Sequence, residues 1–223
     1  MKKGFSLAEV LITLGVIGVV AAMTLPVLIQ NHKKHIAETR LKKFYSTVNQ
    51  ALRLSESQNG NYMSWDYPSG YDATKEEVEE WYNKYFRNYL KVLKSEVKSI
   101  GSVYRMVLYM PDGSLIILRD ISSTIFFPEA KYFALSDMKN GEQDIAYIDP
   151  ALGGTKFFTF SFDKKNGKGI VPYGYGADLD TVINSEGQGC SKNSTGTFNE
   201  HAYCARYIMM NGWKIPKDYP LRF

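Results

Sequence analysis

The chain has 223 residues, which suits one domain or one domain plus an anchor. Its 44% hydrophobic and 22% charged residues are ordinary for a globular protein, and a dispersed net charge of +4 does not by itself point to nucleic acid. Sixteen Tyr and twelve Phe suit a sheet-rich domain that builds its core from few layers.

The charge is unevenly placed. In the 25 residues from Phe5 to Ile29 the only formal charge is Glu9. As a helix this run spans roughly 37 Å, enough to cross a hydrocarbon core of about 30 Å. Lys2 and Lys3 precede it and favour a cytoplasmic N-terminus; His32, Lys33, Lys34 and His35 follow it and pull the other way. A secretory signal cut near "VVAAM" fits poorly with the length and the acid. A plain anchor explains the length but not Glu9. A cut between Gly4 and Phe5 explains both, because it frees an α-amine four residues before the carboxylate. An unpaired carboxylate costs a few kcal/mol in a bilayer. An amine on its own chain or on a staggered neighbour turns that penalty into an assembly signal.

Here the sequence resembles a known family. The basic leader "KKG" and the run "FSLAEVLITLGVIGVVAAMTLP" are similar to the prepilin leader and N-methylation motif of type IV pilins and type II secretion pseudopilins. The resemblance covers about the first 30 residues. It implies a prepilin peptidase that cuts Gly4–Phe5 and methylates Phe5, and a filament built with other pilin or pseudopilin subunits. It further implies an inner-membrane assembly platform and membrane lipid around the helix. Pro26 removes a helical hydrogen bond and is expected to bend the helix without ending it. Gly15 and Gly18 are close-packing points between helices or permissive points where the helix stretches, and the residues do not choose.

Neither Gly nor Pro occurs between Val27 and Asn59. Ala37, Leu41, Phe44, Tyr45, Val48, Ala51 and Leu52 fall at helical spacing on one face, with Lys34, Glu38, Lys42, Lys43, Asn49 and Arg53 on the other. One helix from Phe5 to about Ser57 follows, stopped near Gly60. The expected divisions are residues 1–4, a cleaved leader; 5–30, a transmembrane and filament-core helix; 31–57, its amphipathic extension; and 58–223, a pilin-like domain outside the inner membrane.

A second helix is expected over Thr74–Lys94. Thr74 and Glu77 form a capping box, and Val78, Trp81, Tyr82, Tyr85, Phe86, Tyr89, Leu90 and Leu93 make a buried stripe. "VYRMVLYM" and "SLIILRDI" around "PDG" read as a hairpin, with further strands at "IAYID" and "KFFTFSFD". Helices followed by strands indicate an α+β fold, with an antiparallel sheet on the second half of the first helix. A short helix to about Met210 closes the domain.

Cys190 and Cys204 enclose 13 residues and are expected to form a disulfide in an oxidising compartment. No catalytic motif, phosphate loop or zinc set is present, so neither an enzyme nor a cofactor or metal is expected. Asp178, Asp180, Asn184 and Glu186 offer oxygen donors without EF-hand spacing and read as a solvated loop. Trp65, Tyr67, Tyr71, Tyr173 and Tyr175 are candidate exposed rings for stacking, or lids over a small core; no nucleic-acid partner is expected. The resulting expectation is a pseudopilin or minor pilin, the alternative being a membrane-tethered binding or adhesion module that does not polymerise.

Overall fold

The computed structural model describes residues 6–68, 72–100, 103–118, 123–133, 145–146, 148–194 and 200–223. The Gly4–Phe5 junction, Tyr71, Tyr147 of "IAYID" and the end of "SLIILRDI" lie outside the described residues.

Helix α1 runs unbroken from Leu7 to Asn59, with Pro26 inside it. Ser6 caps its start, and Gly60, at φ 76°, closes it with an N–H to the Glu56 carbonyl at 3.0 Å. A side chain there would sit in the left-handed region, which explains glycine at the stop. Only the second half of α1 belongs to the globular core: Ala37, Leu41, Phe44, Val48, Ala51 and Leu52 are all buried. Phe44 stacks on Phe126 at 4.4 Å and meets the edge of Phe160 at 4.7 Å.

Those rings belong to a seven-stranded sheet of order β5-β1-β2-β3-β4-β6-β7. Its strands are β1 (Lys94–Ile100), β2 (Val103–Tyr109), β3 (Leu115–Leu118), β4 (Thr124–Phe127), β5 (Ile145–Ala146), β6 (Phe158–Phe162) and β7 (Ile170–Pro172). All neighbours pair antiparallel except the short β5, which is parallel to β1. The expected hairpin is β2–β3, with Tyr109 opposite Leu115. Met106, Leu108, Ile116, Leu118, Phe126 and Phe160 share the large core with α1. The alternate residues Val107, Leu115, Ile117 and Phe127 form a second, smaller core on the opposite face, with Phe157 packed among them. The central strands are therefore covered on both sides, which is why β3 reads as an unbroken apolar run.

Helix α2 starts as expected: Thr74 is the cap, and its hydroxyl accepts the Glu77 N–H at 3.2 Å. It stops at Tyr85, however, nine residues before the expected end at Lys94. The amides of Phe86 and Arg87 both close on the Tyr82 carbonyl, turning the chain so that Phe86 and Leu90 enter the core. Leu93, expected in the buried stripe, is 73% exposed. Residues 94–100 then form β1, paired along its whole length with β2. A cross-strand ladder overrides the helical preference of Lys and Glu in "KSEVKSI".

Two short helices complete the fold: α3 (Leu179–Asn184) and α4 (Cys204–Met210). The latter ends near the expected Met210 and packs against β6 and β7.

Candidate functional site

The first half of α1 carries the chemistry the sequence singles out. Leu7, Leu11, Ile12, Leu14, Ile17 and Met23 are all exposed, and the apolar window of this helix makes no buried contact with the rest of the fold. It is long and apolar enough to cross a membrane. Gly15 and Gly18 have open space where a Cβ would stand, so no close packing within this chain accounts for them.

At the head of this helix, Ser6 and Glu9 form a capping box. Glu9 Oε2 accepts the Ser6 N–H at 2.8 Å and the Ser6 hydroxyl at 3.0 Å, and the Ser6 Oγ accepts the Glu9 N–H at 3.3 Å. The box satisfies amides left open at any helix start. Among the described residues, Oε1 of Glu9 has no donor.

The second half of α1 is locked to the domain by polar side chains, and here the face assignment read from spacing needs correcting. Asn49, expected on the outer face, is buried. Its amide nitrogen donates to the Ile170 carbonyl and its oxygen accepts the Ile170 N–H, both at 2.9 Å. It also donates to the Tyr45 carbonyl at 2.9 Å. Ile170 lies in β7, the edge strand, so Asn49 takes the place of a missing neighbour strand. Tyr62 extends the seal by accepting the Gly169 N–H at 3.1 Å and donating to the Asp163 carbonyl. Glu38, also expected to face water, accepts from Lys214 Nζ at 2.9 Å and from the Ile215 N–H at 2.8 Å. Arg40 donates to the Pro128 carbonyl, and Lys43 pairs with Asp112 at 2.8 Å. The helix thus holds the C-terminal segment, the β2–β3 turn and the connection after β4 in one register.

An exposed apolar half-helix rigidly continuous with the spine of a domain is the layout that comparison with known families now resolves. Residues 1–25 match the prokaryotic N-terminal methylation motif. Residues 27–223 match a family of unknown function, DUF6613. The chain belongs to the DUF6613 family. No curated protein and no solved structure matches it. The motif makes this DUF6613 chain a precursor of the type IV pilin and pseudopilin kind, and it implies processing by prepilin peptidase and assembly with other pilins.

In the DUF6613 domain Cys190 and Cys204 are joined by a disulfide, tying the segment after α3 to the start of α4. A bridge over a loop of this length contributes about 3 kcal/mol in the chain-entropy model. The acids near α3 have local structural work. Asp178 caps α3 by accepting the Thr181 N–H at 2.8 Å, and Asp180 accepts from Asn184 at 2.8 Å. Trp65 is buried and stacks on Tyr85 at 4.1 Å, which removes it from the exposed rings. Tyr67 donates to the Tyr62 carbonyl at 3.0 Å. Tyr173 leans on Tyr203 at 5.9 Å, and Tyr175 has Lys168 and Arg206 each 5.0 Å from its ring.

His201 sits inside the disulfide loop, buried, with a left-handed φ of 57° that histidine tolerates better than most residues. Burial pushes its imidazole below the ordinary value; hydrogen bonds to the backbone at Gly189 and Ser191 and the charge of Glu200 only partly oppose this. Below about pH 6.5 the unfolded chain therefore binds a proton that the folded domain resists. The stability His201 contributes is complete above that pH and is lost progressively as pH falls from there through the lower value of the folded state. A His201→Gln variant is expected to melt at temperatures less dependent on pH between 7.5 and 5 than the wild type, as read by circular dichroism.

Proposed function

We propose that this protein is a structural subunit, a pseudopilin or minor pilin, of a type II secretion or type IV pilus-like filament. Prepilin peptidase removes residues 1–4 and methylates the Phe5 amine. Residues 5–30 wait in the inner membrane, surrounded by lipid, and then move into the filament core through an inner-membrane assembly platform. Residues 31–57 form the spine of the domain at 58–223, which stands in the periplasm and then on the filament surface. The role is non-enzymatic, with neither cofactor nor nucleic acid taking part.

The observation that carries this reading is the methylation motif at the head of a helix whose first half is free of its own fold and whose second half is clamped to it. A free apolar half needs partners, and a clamped half passes load from those partners to the domain. Mass spectrometry of the native protein should find a methylated Phe5 at the N-terminus, and the protein should pellet with sheared filaments. An intact Met1, or a cut near Ala22, would overturn the processing step. A cleaved chain that never pellets would instead indicate a tethered binding module.

A further inference from the structure

The basic cluster after the apolar run opposes the usual charge rule, and assembly leaves it unexplained. The run from Leu7 to Ile29 makes roughly 34 Å of helix, and Lys33 lies about 6 Å beyond it. That offset matches the headgroup layer, which is about 5–7 Å thick on each side of the hydrocarbon. At this level the domain folds back onto the helix. A small cleft forms between Lys33 and Ala37 of α1, Glu129 and Tyr132 after β4, Lys156 before β6, and Phe223.

The cleft has surplus positive charge. Glu129 is taken by Lys131 at 2.7 Å. Among the described residues neither Lys33 nor Lys156 forms an ion pair. Lys156 extends over the Tyr132 ring at 4.9 Å and lies 6.0 Å from the Phe223 ring. Burial first, and then the charge of Lys33, hold the Lys156 ammonium below its ordinary range, while Glu129 only partly compensates. Two lysines line this cleft beside aromatic rings, and the carboxylate that shares it, Glu129, is already held by Lys131. Tyrosine and lysine at this depth are the side chains that favour a membrane interface.

The geometry points to an anionic phospholipid headgroup as the occupant: its phosphate bridges Lys33 and Lys156 while its acyl chains lie along the apolar half of α1. This rests on the membrane-embedded reading but not on polymerisation. An anionic headgroup there would also offset the cost of placing basic residues on the outer side of the membrane.

The test titrates the full chain, purified in detergent, with phosphatidylglycerol or phosphatidylcholine and reads bound lipid by native mass spectrometry. Each juxtamembrane lysine is worth about fivefold, so the wild type should favour phosphatidylglycerol by about 30-fold. Lys33→Gln with Lys156→Gln should bring the two lipids to near parity. Lys33→Arg with Lys156→Arg should keep the preference, as should a charge-matched control beside the far end of α1, Lys91→Gln with Lys165→Gln. Should the Gln pair unfold the domain, Lys33→Gln alone carries the test with a loss of about fivefold. Excess inorganic phosphate should leave the lipid bound; displacement by it would reassign the cleft to a soluble anion. No lipid preference in the wild type, or an undiminished preference in the Gln variants, would overturn the proposal. A chain that selects phosphatidylglycerol yet never enters filaments would sink the assembly reading and spare this one.

Discussion

A Glu9→Ala chain is expected to insert and lose its leader, yet to enter filaments between about 10- and 100-fold less efficiently than the wild type. The magnitude follows from what the carboxylate does in each state. On the proposed reading a lone subunit holds it in the bilayer half-satisfied, since Ser6 occupies Oε2 and no described donor reaches Oε1. On the proposed assembly, the methylated amine of an adjacent Phe5 supplies the missing cation in the filament. Assembly thus recovers most of a penalty of about 3 kcal/mol, and alanine has no such penalty to recover. The structure adds a control that spacing did not suggest. Ser6→Ala removes the cap but keeps the charge, so it should cost about 1 kcal/mol in local helix stability and leave incorporation close to normal. Quantifying subunit in sheared, pelleted filaments for both variants separates the two roles. Equal loss in Ser6→Ala and Glu9→Ala would mean that helix capping, not charge pairing, drives entry.

The elements that could be read in advance are those whose cause is local. An uninterrupted stretch free of Gly and Pro foretold the length of α1, and a capping box foretold the first residue of α2. The turn at "PDG" announced its hairpin through Asp112, which accepts both the N–H and the hydroxyl of Ser114. What stayed hidden depends on partners far away in the chain. β1 is built from helix-forming residues and exists because β2 offers a full ladder. β4 and β7 span four and three residues, too short for alternation to register. Glu38 and Asn49 looked like solvent-facing residues because polar side chains usually are. Their partners lie more than a hundred residues away, at Lys214, Ile215 and Ile170. One local hint was available for Asn49: it stands four residues after Tyr45 and three before Leu52, on the flank of the apolar stripe.

That clamp supports the second large effect. Asn49→Ala should destabilise the domain by about 2–4 kcal/mol, because it strands the N–H and carbonyl of Ile170 at a buried sheet edge. Asn49→Asp should be worse at neutral pH, since a carboxylate only accepts and cannot donate to the Ile170 or Tyr45 carbonyl. Gly169 reports on the same contact. Its φ is 80°, and a Cβ there would lie 2.2 Å from Asn49 Oδ1. Gly169→Ala in the wild type therefore carries two costs, a left-handed backbone of about 1 kcal/mol and a collision with the clamp. In an Asn49→Ala background that collision is gone, leaving the backbone cost and a tight 3.1 Å approach to Leu52 Cδ2. The double variant should thus be less destabilised than the sum of the single variants by about 1–2 kcal/mol. Denaturant melts of the full chain in detergent measure all the corners of this cycle. Strict additivity would mean that Asn49 does not hold the β7 edge, and the route by which α1 passes load to the sheet would have to lie elsewhere.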